Sequence, residues 1–535
     1  MTLIATITPH DLRAAALGGE ELAVIDAREG DAYVANGHIS IAVELPLSEL
    51  ELKAYALLPR LGVRLVVTDD DGGSLAVLAA TRLTALGYTG VAVLEGGVAG
   101  WQAAGFILIT GQHALSKALG EVVERRDHTP RITASQLRDR FATGEDLVVL
   151  DTRPLEEFNH IALPEGIAAP GAELLFRVFD AVPDPATPIV VNCAGRTRAI
   201  IGAQALINAG VPNPVVSLEN GTAAWLLAEL TPARGATREA AAPSPEGLAR
   251  ARQAQQRLAR RFGIAPLSAG ALEAFRADAT RRTLYLFDIR TGQEFDAGHL
   301  PGSRHVPGGQ LVQTTDRFIG TRQGRIVLAD TPDLVRSTIT ASWLLQLGLH
   351  DVHVYPAEPG ELSAIGPVAP PLPPLPEPRA VIAPLELSRL LAGGKATVLD
   401  LDPAEPYFRV RRFIPGSFVA RRSTLAARLA SVPGEGPIVL TSGDGVLAAF
   451  AASDPLGPPT RPVLVLQGGT AAWIAAGLGF QIGTGQPALH PSEALPKPLS
   501  LPERRVYLDA YVAWGHSIGA ELERDGLVRF PAFPA

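Results

Sequence analysis

Short runs of apolar, β-branched residues alternate along the chain with segments of helical periodicity, and the whole cycle recurs four times. Each cycle opens on an apolar strand ending in Asp: LAVIDAR at Asp26, LVVLDTR at Asp151, LYLFDIR at Asp288 and TVLDLD at Asp400. Arg follows two residues later in the first three, whereas Asp402 stands there in the fourth. A second apolar strand comes later in every cycle (RLVVTD, PIVVNC, RIVLAD, PIVLTS), and a helix-like segment follows it. Three cycles then close on a third strand and a Gly-Trp signature, VLEGGVAGW to Trp101, SLENGTAAW to Trp225 and VLQGGTAAW to Trp473. Opening Asp and closing Trp lie 75, 74 and 73 positions apart. In the third cycle the same offset falls on Glu361, so that copy keeps its length and has lost the glycine pair and the tryptophan. Near-constant spacing implies one fold repeated, and continuous apolar strands alternating with helices predict parallel sheets buried on both faces.

The expected architecture is therefore α/β, with four tandem domains, each a small parallel sheet flanked by helices, over residues 1–110, 129–231, 264–366 and 379–485. Residues 232–263 are polar and Arg-rich, which predicts a loose linker followed by a surface helix. Residues 367–378, PVAPPLPPLPEP, predict an extended polyproline spacer. The extension 486–535 predicts a helix docked on the last domain, with no chemistry of its own.

A length of 535 residues agrees with several cores rather than one. With 47% hydrophobic, 19% charged and 6% aromatic residues, the composition is that of folded α/β material. A net charge of −8, without a Lys/Arg block, argues against nucleic acid as a partner. No apolar stretch is long enough to span a bilayer and no basic n-region opens the chain, so no membrane is expected and the protein is expected to be cytoplasmic. A single cysteine, Cys193, excludes internal disulfides and multi-thiolate metal sites.

The opening Asp-x-Arg, the element EFDAGHLPGSRHVP at 294–307, a Cys-containing loop and a closing Gly-Gly-x-x-x-Trp form a pattern that resembles rhodanese-like sulfurtransferase domains. Repeat one carries the same Gly-His-Ile element at Gly37, His38 and Ile39; repeat two departs from it with EFNHIALPEGIAAPGAEL. The resemblance covers about four fifths of the chain. It implies a thiolate that accepts sulfane sulfur from a small anionic donor, thiosulfate or a persulfide, and passes it to a thiol or cyanide acceptor. No metal and no organic cofactor are implied.

Repeat two is the copy equipped for that chemistry. After the strand IVVN come Cys193, Ala194, Gly195, Arg196, Thr197 and Arg198, and then a helix. A short loop leading into a helix N-terminus points backbone N–H groups inward, a setting that favours a thiolate or persulfide anion. Gly195 suits the tight part of the loop. Arg196 and Arg198 are expected to hold the donor through paired hydrogen bonds. A six-residue loop resembles the sulfurtransferase branch, because phosphatases of the same fold carry one residue more. In the sister copies Asp69, Asp330 and Ser442 take the place of Cys193. Three adjacent carboxylates, Asp69 to Asp71, read as a solvated turn in preference to a metal site, and Ser442 has no neighbouring base.

Asp151 and Arg153 recur in copies without the cysteine and are expected to form a structural ion pair under the active-site floor. Glu173 and Arg177 are candidates to reach over the pocket, and His160 reads as a loop residue. The competing reading is a non-enzymatic scaffold, or a persulfide or redox sensor, whose Cys-less repeats bind a protein partner.

Overall fold

A computed structural model describes residues 4–377, 380–403, 411–458, 460–493, 495 and 499–534. The chain divides into two compact units: Met1–Glu44, Ala56–Ala369 and Glu503–Ala535 in the first, and Leu45–Tyr55 with Pro370–Pro502 in the second.

The first unit holds three of the four repeats. The five-stranded sheet of repeat two is parallel throughout, in the order Arg131–Ile132, Val215–Leu218, Ile189–Asn192, Val148–Asp151, Ile167–Ala168. Repeat one follows the same order, with Ala5–Ile7, Gly90–Leu94, Arg64–Thr68, Leu22–Asp26 and Val43–Glu44. Repeat three keeps four of the strands, Val352–Pro356, Arg325–Asp330, Leu284–Asp288 and Arg304–His305; a lone bridge between Pro266 and Val354 marks the place of the fifth. Central strands such as Ile189–Asn192 are buried at every position, as their unbroken apolar sequence predicts.

The repeats of this unit are not separate beads. A two-residue strand of repeat three, Thr321–Arg322, pairs antiparallel with Leu22–Asp26 of repeat one, Thr321 opposite Ala23 and Arg322 opposite Leu22. Repeats two and three share one hydrophobic core, which contains Leu174, Val178 and Ile201 of the former and Phe287, Ile339 and Leu344 of the latter. The Arg-rich segment expected to be a surface helix builds part of that core. Helix Pro245–Phe262 turns Gly247, Ala251, Ala254, Leu258 and Phe262 inward at spacings of three and four, so its arginines crowd only the other face. Ser244 caps it, accepting from Gly247 N–H at 3.0 Å.

The helix of the C-terminal extension, Leu501–Asp525, also departs from expectation. It belongs to the first unit from Glu503 onward rather than packing on the last repeat. Ile518 and Leu522 are buried against Ile109, Ala114 and Ala118. The latter two lie on helix Ala114–Asp127, in a stretch that the sequence assigns to no repeat.

The second unit repeats the plan, with parallel strands in the order Val381–Ile382, Val463–Leu466, Ile438–Thr441, Thr397–Asp400, Phe418–Val419. Its Arg422 is buried and bonded to both Glu51 (2.6 Å) and Asp454 (2.8 Å). Described residues of the Pro-rich stretch, 367–377, form neither helix nor strand; Pro378 lies outside the described residues.

Local geometry explains why the sequence signatures recur. Each closing Trp donates its indole N–H to a carbonyl six residues on: Trp101 to Ile107 (3.1 Å), Trp225 to Thr231 (3.0 Å) and Trp473 to Gly479 (2.8 Å). Each Asp-x-Arg folds into a buried ion pair, of 2.6 Å for Asp26 and Arg28, 2.7 Å for Asp151 and Arg153, and 2.6 Å for Asp288 and Arg290. The same guanidinium also donates to a carbonyl in the segment beyond, on Gly37, Ile161 and Gly298 in turn. Where repeat four has Asp402 in place of Arg, Arg411 reaches Asp400 instead, at 3.0 Å. The motif is thus a brace that joins the sheet edge to the next segment.

Candidate active site

The loop Cys193–Arg198 joins the central strand Ile189–Asn192 to helix Thr197–Asn208. Beneath it, Asn192 donates to Asp151 at 2.7 Å and to Thr222 at 3.0 Å, so the Asp151–Arg153 pair fixes the residue before Cys193. Above, the N-terminus of helix Gly221–Leu227 grips the loop: Thr222 N–H donates to the Cys193 carbonyl at 2.9 Å, and Ala223 N–H to the Ala194 carbonyl at 3.0 Å. Asn220 (φ +56) and Gly221 (φ +53) are both left-handed, and a Cβ at 221 would strike the Cys193 carbonyl. Asp69 in repeat one and Ser442 in repeat four are held by the same pair of bonds, which gives the Gly-Gly-x-x-x-Trp signature its function.

The sister loops reveal what the loop itself binds. In repeat one the Asp69 carboxylate accepts from the backbone N–H of Asp71 (3.2 Å), Gly72 (2.5 Å) and Ala76 (2.8 Å). In repeat three Asp330 accepts from Thr331 and Ser337, each at 2.8 Å, and from Arg336. The loop is an anion cradle which, in these copies, is filled by its own side chain. Repeat two offers no carboxylate between Cys193 and Arg198. Its sulfur stands where the sisters place an anion, and Cys193 is buried, with 2% of its surface exposed.

Both loop arginines are already neutralised by protein carboxylates. Arg196 turns to helix Ala114–Asp127, where it bonds Glu121 in bidentate fashion and Glu124 at 2.6 Å, and it meets Asn220 at 3.2 Å. Arg198 forms a bidentate pair with Glu157, at 3.0 and 2.9 Å, and reaches Gln310 at 3.3 Å. These carboxylates hold both guanidinium groups in the charged form, against the cost of burial. Thr197 lies under Gly120, whose hydrogen position faces the Thr197 Cα so closely that a Cβ would be 2.9 Å from it. Glu173 and Arg177 pair with one another at 2.6 Å. Glu173 also meets Arg336 of repeat three at 3.0 Å, and Arg177 donates to the Ala240 carbonyl. These partners tie the two residues to the junction between repeats two and three. His160 ends the short helix Leu155–His160.

Two side chains near the loop were not among the sequence-derived candidates. Tyr511, on the C-terminal helix, brings its ring to 3.4 Å from the position of a Cβ on Gly195. Lys117, on helix Ala114–Asp127, holds its ammonium 5.8 Å from the centre of that ring. Burial and the neighbouring Arg198 lower the Lys117 pKa to about 8. Burial and the adjacent Cys193 raise the Tyr511 hydroxyl well above its usual value, so it remains a donor. The amphipathic run ALSKALGEVV predicts a helix there, but nothing in it predicts which repeat that helix faces.

Fold and site together define a tandem array of α/β domains in which one copy of a strand-to-helix anion loop carries a thiol. The Rhodanese-like domain model matches residues 8–104, 133–228 and 269–357, more than half the chain, and the protein belongs to that family. A crystal structure of a thiosulfate sulfurtransferase from Pseudomonas aeruginosa is similar to the chain over nearly its whole length. The two share 40% identity and a TM-score of 0.91, covering 99% of this chain and 100% of that one. A chain from Anabaena sp. is 25% identical, with a TM-score of 0.18, over 20% of this chain and 92% of its own. No curated protein sequence matches. Among the described residues no helix is long and apolar enough to cross a membrane, and no group of three or more His, Cys, Asp or Glu side chains is arranged to hold a metal ion.

Proposed function

We propose that this protein is a sulfurtransferase that carries sulfane sulfur as a persulfide on Cys193. The Cys193 thiolate attacks the outer sulfur of thiosulfate or a persulfide. With thiosulfate the S–S bond breaks, sulfite departs with the bonding electron pair, and the sulfur stays on Cys193 as a persulfide anion. A thiol or cyanide acceptor then attacks that outer sulfur and the Cys193 thiolate is released. Loop amides from Ala194 onward stabilise the anion at each stage. No proton transfer is required between thiolate and persulfide, which accords with a loop that lacks a histidine base.

One observation carries this reading. At the position where two sister loops seat a carboxylate against backbone amides, repeat two seats a sulfur. The 40% identical thiosulfate sulfurtransferase points the same way and favours thiosulfate as donor. Mass spectrometry of the intact protein after incubation with thiosulfate is expected to show a gain of one sulfur mass, reversed by cyanide. Cys193→Ser should gain none, and equal labelling of that variant would end the proposal.

A further inference from the structure

The loop arginines, which the sequence marks as donor-binding, are both spent on protein carboxylates, yet the chemistry brings a doubly negative donor to Cys193. Lys117 offers the charge they do not. It lies on the face of helix Ala114–Asp127 that also carries Glu121 and Glu124, one and two turns further along, and those two clamp Arg196 of the loop. Gly120, just before Glu121, packs on Thr197 at the start of the helix that follows the loop. Lys117 is thereby directed at the mouth of the same loop. Among the described residues no carboxylate lies within ion-pair distance of its ammonium, although it is recessed from solvent. An unpaired, half-buried cation is costly unless an anion visits it.

The roof above it is held at both ends. Arg505 donates to the Leu227 carbonyl at 3.0 Å, at the far end of the helix that grips the loop. Asp525 meets Ser40 and Arg13 of repeat one. Between these anchors Tyr511 lies over Gly195, and its hydroxyl has no hydrogen-bond partner among the described residues.

Resting on the persulfide reading above, we propose that the donor site is completed from outside repeat two, by the Lys117 ammonium and the Tyr511 hydroxyl. Covered by the C-terminal helix at Tyr511, the site matches the negative charge of a small sulfur oxyanion such as thiosulfate. Tyr511 faces Lys117, and Arg198 and Cys193 of the loop, with Glu157 and Asp316, act on its charge.

The test is steady-state kinetics of the full chain with thiosulfate varied and cyanide saturating. Lys117→Met should raise KM for thiosulfate about tenfold with kcat nearly unchanged, and Lys117→Arg should restore much of the loss. Tyr511→Phe should raise KM by about threefold. Sulfate, an unreactive oxyanion, should compete with thiosulfate in the wild type and lose that competition in Lys117→Met. A wild-type measurement guards against misfolded variants: KM for thiosulfate should climb as pH passes about 8, where Lys117 loses its charge. Unchanged KM in both variants, or a flat wild-type KM across that range, overturns the inference while persulfide formation on Cys193 stands. A wild type that gains no sulfur from thiosulfate removes both.

Discussion

The same loop seats a carboxylate in repeat one and a sulfur in repeat two, a difference of one side chain on a shared backbone. Residues around the opening Asp show a similar economy. In repeat four, Asp402 stands where the others have Arg, beside Asp400, and burial next to that second carboxylate raises its pKa from 3.8 to about 6. A carboxyl raised in the fold favours the folded state when protonated. Its contribution is complete below the usual value and is lost as pH rises through about 6. Asp402→Asn keeps an acceptor for the Gly443 N–H, which Asp402 engages at 2.8 Å. The variant should therefore gain about 1–2 kcal/mol of stability at pH 7, allowing for partial exposure, and nothing at pH 4. Denaturant unfolding at the two pH values measures this; an equal gain at both would refute the assignment.

At the scale of single elements, much was legible because the elements repeat. Asp-x-Arg, the second strand and the glycine pair mark the sheet, its edge brace and the grip on the loop, and the structure returns them in order. The glycine at the start of each closing helix makes a testable pair. Gly221 and Gly469 are both left-handed, and a Cβ on either would strike the carbonyl of Cys193 or Ser442. Each Ala variant should destabilise its repeat by at least about 1–2 kcal/mol. Gly221→Ala should also depress sulfur transfer by tenfold or more, whereas Gly469→Ala should leave it intact. Comparable losses of turnover in both would show that the effect is general unfolding. What the sequence concealed was partnership between distant segments. Arg196 and Arg198 carry the residue types of an anion site, but Glu121 and Glu157, which neutralise them, lie 75 and 41 positions away. Lys117 and Tyr511 lie on helices that no repeat claims. Periodicity places a helix and its apolar face; it does not say which neighbour that face meets.

Across the first unit, burial links copies that the sequence divides into separate domains. Arg336 of repeat three is fully buried, and it bonds Asp330 (3.0 Å), Glu294 (2.8 Å) and Glu173 of repeat two (3.0 Å). Removing it takes the shared guanidinium from three carboxylates, two of them buried, so Arg336→Met should cost about 3–5 kcal/mol. Because repeats two and three share a core, the loss should appear as one earlier transition that includes the Cys193 domain, together with a lower yield of persulfide-competent protein. A calorimetric trace in which repeat two melts at an unchanged temperature would contradict the shared core.

Repeat three has lost the thiol and the glycine pair, yet it supplies Thr321–Arg322 to the sheet of repeat one. Val43–Glu44 pairs with Ile25 and Asp26 of Leu22–Asp26, the last long strand of the sheet, and Thr321–Arg322 covers the other half, at Leu22 and Ala23. Without that patch the outermost strand would offer bare N–H and C=O groups beside apolar side chains, a template for sticking to another copy. A chain with residues 264–366 excised should therefore be not merely inactive but prone to self-association. The decayed repeat acts as the selvedge that keeps its neighbour's fabric from fraying into the next molecule.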